Sequence, residues 1–170
     1  MRNLTRIIAV FLFVGITATV NAQTPKFGHI DLQALVQLMP ERATAETEFL
    51  KFQSDLEEIF GEMQKDLQTK MSDFEALGDS ASEIKRNAKV AEIQDMQQRI
   101  QNYQQTANAQ LQQKQTELLK PVFDKAEKTI GEVAKEKGLL YVFDIGSKVV
   151  LYKSNESLDV LPLVKTKLGI

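Results

Sequence analysis

The chain has 170 residues with 21 basic and 23 acidic side chains, no cysteine, no tryptophan and a single histidine. Without cysteine there are neither disulfides nor thiolate metal sites, and one histidine cannot complete a metal site, which needs several ligands. The near balance of charge also lacks the strong basic excess on which nucleic-acid binding depends.

Arg2 and Arg6 precede a fourteen-residue apolar run from Ile7 to Val20, and Val20-Asn21-Ala22 supplies small or permissive residues of the kind a signal peptidase cuts. This is the pattern of a secretory signal peptide over residues 1–22, cleaved after Ala22. The run falls short of the about 20 apolar residues that a membrane-spanning helix needs. The exported chain, residues 23–170, carries 19 basic against 23 acidic side chains.

Lys26 to Ile30 reads as a strand, and Asp31 then caps a short helix from Leu32 to Met39. Pro40 and Glu41 suit the first turn of a further helix, because proline loses nothing there and an acid favours the N-terminal dipole. From Pro40 to Pro121 no proline intervenes, and the only break in the helical pattern is Gly78-Asp79-Ser80. Phe49, Phe52, Leu56, Phe60, Met63, Leu67, Met71, Phe74 and Leu77 recur by threes and fours, the spacing of a coiled-coil seam. After the break Ile84, Ala88, Ala91, Ile93, Met96, Ile100, Tyr103, Ala107, Leu111 and Leu118 repeat in the same way. Two long helices folded into a hairpin follow, with Gly78 after the first helix and Ser80-Ala81-Ser82-Glu83 as a capping box for the second.

Ten glutamines between Gln94 and Gln115 are threaded among apolar residues and read as a solvated helix face. Pro121 is expected to kink the return helix, which resumes with Val122, Ala126, Ile130 and Val133 until Gly138. From Leu139 the period changes to that of strands. Leu139 to Asp144, a turn at Ile145-Gly146-Ser147 and Val149 to Tyr152 predict a β-hairpin. Pro162 then opens a last short helix with Leu163, Val164 and Leu168. The fold class is therefore α+β and mostly helical: a small β-containing body from residues 23–40 and 120–170, and a helical-hairpin arm over 41–119 with its tip at 78–82. A body this small needs partners.

At this point the sequence resembles the Skp (OmpH-like) family of periplasmic chaperones. The residues that carry the resemblance are Phe27-Gly28-His29-Ile30-Asp31-Leu32-Gln33, the two-helix arm, Lys120-Pro121-Val122-Phe123, Val133 to Leu139, and Val150-Leu151-Tyr152. The resemblance implies a homotrimer in the periplasm whose arms surround a cavity, where unfolded outer-membrane or envelope proteins are held without ATP. One feature departs from the family, whose well-studied members are strongly basic. Residues 41–119 carry 9 basic against 15 acidic side chains. With no basic patch evident for lipid phosphates, lipopolysaccharide binding is not carried over.

Two sets of residues are candidate contacts. Met71, Phe74, Leu77 and Ile84, where the seam must end, are the candidates for clients. Phe27, Ile30, Tyr141, Phe143, Val150 and Leu151 are the candidates for the subunit interface, since obligate interfaces resemble a core cut in half. His29 and Asp31, two apart on one strand face, could form a metal or pH-sensing pair, but no second histidine exists to extend it. No nucleophile, base and orienter set is evident, so neither catalysis nor a cofactor is expected. The competing reading is a structural coiled-coil adaptor or spacer, which needs only rigid arms and one specific partner.

Overall fold

The computed structural model describes residues 26–170, so the signal-peptide expectation at 1–22 lies outside the described residues. Strand β1 (Phe27–Ile30) leads into helix α1 (Leu32–Leu38), long helix α2 (Pro40–Ala76) and longer helix α3 (Glu83–Glu136). Strands β2 (Tyr141–Asp144) and β3 (Leu158–Asp159) and a closing helix α4 (Leu161–Leu168) complete the order. No described helix is long and apolar enough to cross a membrane.

Local chemistry sets most of these boundaries. Asp31 accepts from the Ala34 amide at 2.9 Å and caps α1, and Pro40 stands at the first position of α2. α2 ends at Ala76, where Gly78 takes a left-handed φ of +63° that only glycine adopts without strain. The capping box does not form. Ser82, rather than Ser80, is the N-cap of α3, and its side chain makes no capping bond. α3 runs for 54 residues through Pro121, about 80 Å at about 1.5 Å per residue.

The sheet corrects the sequence reading. Its order is β2-β1-β3, and both pairings are parallel, with Phe27 opposite Tyr141, His29 opposite Phe143 and Gly28 opposite Leu158. The expected antiparallel return at Val149 to Tyr152 is absent, and those residues join no strand. Asp144 accounts for part of the difference. Its carboxylate accepts from the amides of Leu32 at 3.1 Å and Gly146 at 2.9 Å, tying the end of β2 to the start of α1. The chain then crosses from one sheet edge to the other, because β1 lies between β2 and β3.

One face of the sheet packs on the helices. Ile30, Leu35, Val36, Met39, Val122, Ala126, Val133, Val160 and Val164 form the buried core. Gly28 permits this closeness, since a Cβ there would sit 2.8 Å from Leu139 Cδ1. α3 belongs to both ends of the molecule: its C-terminal part lines this core, while its N-terminal part pairs with α2.

Candidate functional site

The helical hairpin is zipped by a narrow seam. Along α2 and its C-cap the seam runs through the buried or half-buried Phe49, Phe52, Leu56, Phe60, Met63, Leu67, Lys70, Phe74 and Leu77. Along α3 they are Arg86, Lys89, Ile93, Met96, Ile100, Tyr103, Ala107, Leu111, Lys114 and Leu118. Midway, Leu56 and Met96 are buried and the Tyr103 hydroxyl donates to the Leu56 carbonyl at 3.0 Å. Beside this point Leu56, Phe60, Tyr103 and Leu111 line an open groove of about 330 Å³.

Near the tip the seam differs from the sequence expectation. Lys70, not Met71, and Arg86 and Lys89, not Ile84, Ala88 and Ala91, occupy the positions between the helices. Met71 is 40% exposed and Ile84 83% exposed, while Phe74 and Leu77 are half-buried. The Arg86 guanidinium lies 5.5 Å from the Phe74 ring centroid and donates to the Gly78 carbonyl at 3.1 Å. Ion pairs cross the hairpin from Lys70 to Glu92 at 3.7 Å and from Lys89 to Asp73 at 3.8 Å. The four candidate client residues thus divide into Met71 and Ile84, which project outward, and Phe74 and Leu77, which are half-buried, Phe74 under the Arg86 guanidinium.

The second candidate surface is the sheet face away from the core. The parallel register brings Phe27, Tyr141 and Phe143 onto that face, with ring centroids 5.9 to 6.3 Å apart. All three are exposed. Leu151 is 95% and Tyr152 83% exposed, and Val150 is half-buried at the wall of an adjoining cleft of about 820 Å³. Ile30 does not belong to this face. At 2% exposure it lies in the chain's own core, because alternation along β1 turns it to the opposite side from Phe27. Leu140, Val149 and Tyr152 were missed as surface apolar residues, although the apolar run after Gly138 was the available signal.

His29 is buried on the aromatic side, its Nδ1 2.9 Å from the Ser157 hydroxyl and its Nε2 3.0 Å from the Lys153 ammonium. Since lysine can only donate, Nε2 accepts and Nδ1 carries the proton toward Ser157. Asp31 is engaged elsewhere as the α1 cap, so the sequence pair does not come together. Among the described residues no three histidine or carboxylate side chains gather as a metal-holding group. Elsewhere the charged pairs fasten helices. Lys125 holds the Glu41 carboxyl below the usual carboxylate range through a hydrogen bond, and hydrogen bonding to Glu136 raises the Lys167 ammonium.

The family model described as outer membrane protein (OmpH-like) matches residues 26–168, and the chain belongs to that family. A crystal structure from Caulobacter crescentus CB15, described as an OmpH-like outer membrane chaperone, superposes with a TM-score of 0.72. The two chains share 12% identity over 85% of this chain and 84% of that one, a likeness of fold. No curated protein matches the sequence.

Proposed function

We propose that this protein is an ATP-independent holdase chaperone of the periplasm that keeps unfolded outer-membrane or envelope proteins soluble between the helical hairpins of a homotrimer. The observation that carries the reading is the uncovered aromatic face beneath a long, thin hairpin. Parallel sheets are almost always covered on both faces, and here Phe27, Tyr141 and Phe143 are left exposed by the described residues. A second copy of the same chain is the occupant the reading assigns, with Val150, Leu151 and Tyr152 in the same contact. The number three follows the resemblance to the Skp family. Family membership and the likeness to an OmpH-like outer membrane chaperone support the client class.

A holdase needs many weak contacts within one enclosure, each reversible and together retentive. Exposed Met71 and Ile84, the half-covered Phe74 and Leu77, and the mid-hairpin groove provide contacts of that kind. No catalytic residue, cofactor or metal enters the reading. The alternative, a coiled-coil spacer, is favoured by one observation, the continuous seam, but does not account for the outward-facing apolar residues.

The test is titration of residues 23–170 against an aggregating unfolded β-barrel membrane protein, with light scattering of the chaperone alone in parallel. Suppression saturating at one client per oligomer is expected. A stable monomer at micromolar concentration, or no suppression at any ratio, rules the proposal out. Phe143→Asp should dissociate the oligomer by burying an unpaired charge. Met71→Ser with Ile84→Ser should weaken suppression and leave the oligomer intact.

A further inference from the structure

The seam changes character along its length. Between Leu67 and the tip, and from the tip to Ile93, no side chain is fully buried, and three of the inward positions hold the long cations Lys70, Arg86 and Lys89. Their stems cover apolar surface while the charged ends reach carboxylates. Glu92 is the hub, 3.1 Å from Lys89 and 3.7 Å from Lys70. Asp73 and Asp79 take the remaining ends of Lys89 and Arg86 at 3.8 and 3.9 Å. Phe74 lies under the Arg86 guanidinium, and Leu77, half-buried, is the next inward position toward the tip.

We propose that the distal part of the hairpin is an ion-paired clasp, closed at low ionic strength and opened by salt, whose opening uncovers Phe74 and Leu77 for an unfolded chain. Only the last clause rests on the holdase reading. Pairs between exposed side chains are weak and screened by salt, whereas the apolar seam around Leu56 and Met96 gains nothing from charge and loses nothing when charge is screened. The clasp therefore opens from the tip, and the Leu56–Met96 region stays closed. The hydrogen bond to Glu92 that raises the Lys89 ammonium, and the reciprocal lowering of the Glu92 carboxyl, agree with a linked pair.

The experiment is hydrogen exchange on residues 23–170 without client, from about 0.01 M to about 1 M salt, a range over which the screening length falls from about 30 Å to about 3 Å. Amides of residues 67–77 and 83–93 should exchange about five-fold faster at high salt, and those around Leu56, Met96 and Tyr103 should change by less than about two-fold. Lys70→Leu with Arg86→Leu and Lys89→Leu, which makes the distal seam apolar throughout, should slow distal exchange and abolish its salt response. Glu92→Gln should reproduce at low salt the exchange of the parent at high salt. A distal response no larger than the proximal one overturns the clasp, as does a leucine variant that keeps the salt response.

The consequence for clients is read separately, by comparing suppression of β-barrel aggregation by the parent and the leucine variant at one high salt concentration. The variant should need about threefold more protein, as a smaller open population implies. Equal potency overturns the client clause. Absence of suppression by both proteins, with the exchange pattern intact, defeats the holdase reading and leaves the clasp standing.

Discussion

At the sheet end α3 buries Val122, Ala126 and Val133 among residues from four other elements, whereas at its opposite end the same helix offers Arg86 and Lys89 to α2. The first contact is apolar and closed on several sides. The second has one partner helix, solvent on the remaining sides and charge in place of burial. Helical spacing is the same in both, so spacing alone does not set how tightly a helix is held. What differs is how many elements surround it. A lone helix pair can bury only a narrow stripe, and a long cation can sit at its margin with its amino group in water.

The largest effect that should separate the two ends comes from Leu35→Ala. This side chain is fully buried at the sheet end, so the change should cost about 2–5 kcal/mol in denaturant unfolding. Gly28→Val should follow at about 1–3 kcal/mol, because its Cβ would press on Leu139 Cδ1. If either variant loosens distal amides as much as core amides, the two ends are one cooperative unit and the contrast fails. Tyr103→Phe removes the bond to the Leu56 carbonyl and should cost about 0.5–1.5 kcal/mol, read as faster exchange in mid-hairpin.

The smallest global effect is expected from pH at the tip. The Glu92 carboxyl is depressed, chiefly by its hydrogen bond to Lys89, so its contribution is present above its unfolded value and lost as pH falls through the folded value, below the ordinary carboxylate range. The Lys89 ammonium is raised, again chiefly by Glu92, so its share is present below its unfolded value and lost as pH climbs through the folded one, above the ordinary ammonium range. Distal amides should lose protection at both extremes, relative to the amides around Leu56 and Met96 at the same pH, with the unfolding midpoint nearly unmoved near either limit. A flat profile between those limits and beyond them would remove ion pairing as the distal force.

The helices were legible in the sequence because their signals are local. Asp31 as a cap, Pro40 and Pro162 in first turns and Gly78 after a helix each act within a few residues of themselves. The sheet was not, because pairing β1 with β2 joins residues more than a hundred positions apart, and an apolar run after a turn signals a hairpin whether or not an edge is free to receive it. The distal seam failed for a different reason. Leu67 is followed by Lys70 at three residues and Met71 at four, both compatible with the repeat. A reading that admits only apolar residues chooses Met71, whereas the folded chain takes the lysine stem inward and leaves the thioether in water. Of the candidate site residues, Phe27, Tyr141 and Phe143 share one face as alternation required, and Ile30 is on the other.

The unbroken run of α3 from tip to core makes it a lever. Its fulcrum is the packing around Val122 and Ala126, and the stretch beyond it to Glu83 is about 60 Å long at about 1.5 Å per residue. A change of about 10° in how that helix seats on the sheet would swing the tip through about 10 Å, with no helix bent and no seam opened. Reach is thus adjustable from the end of the molecule farthest from where it is used, by small shifts among side chains that never meet solvent.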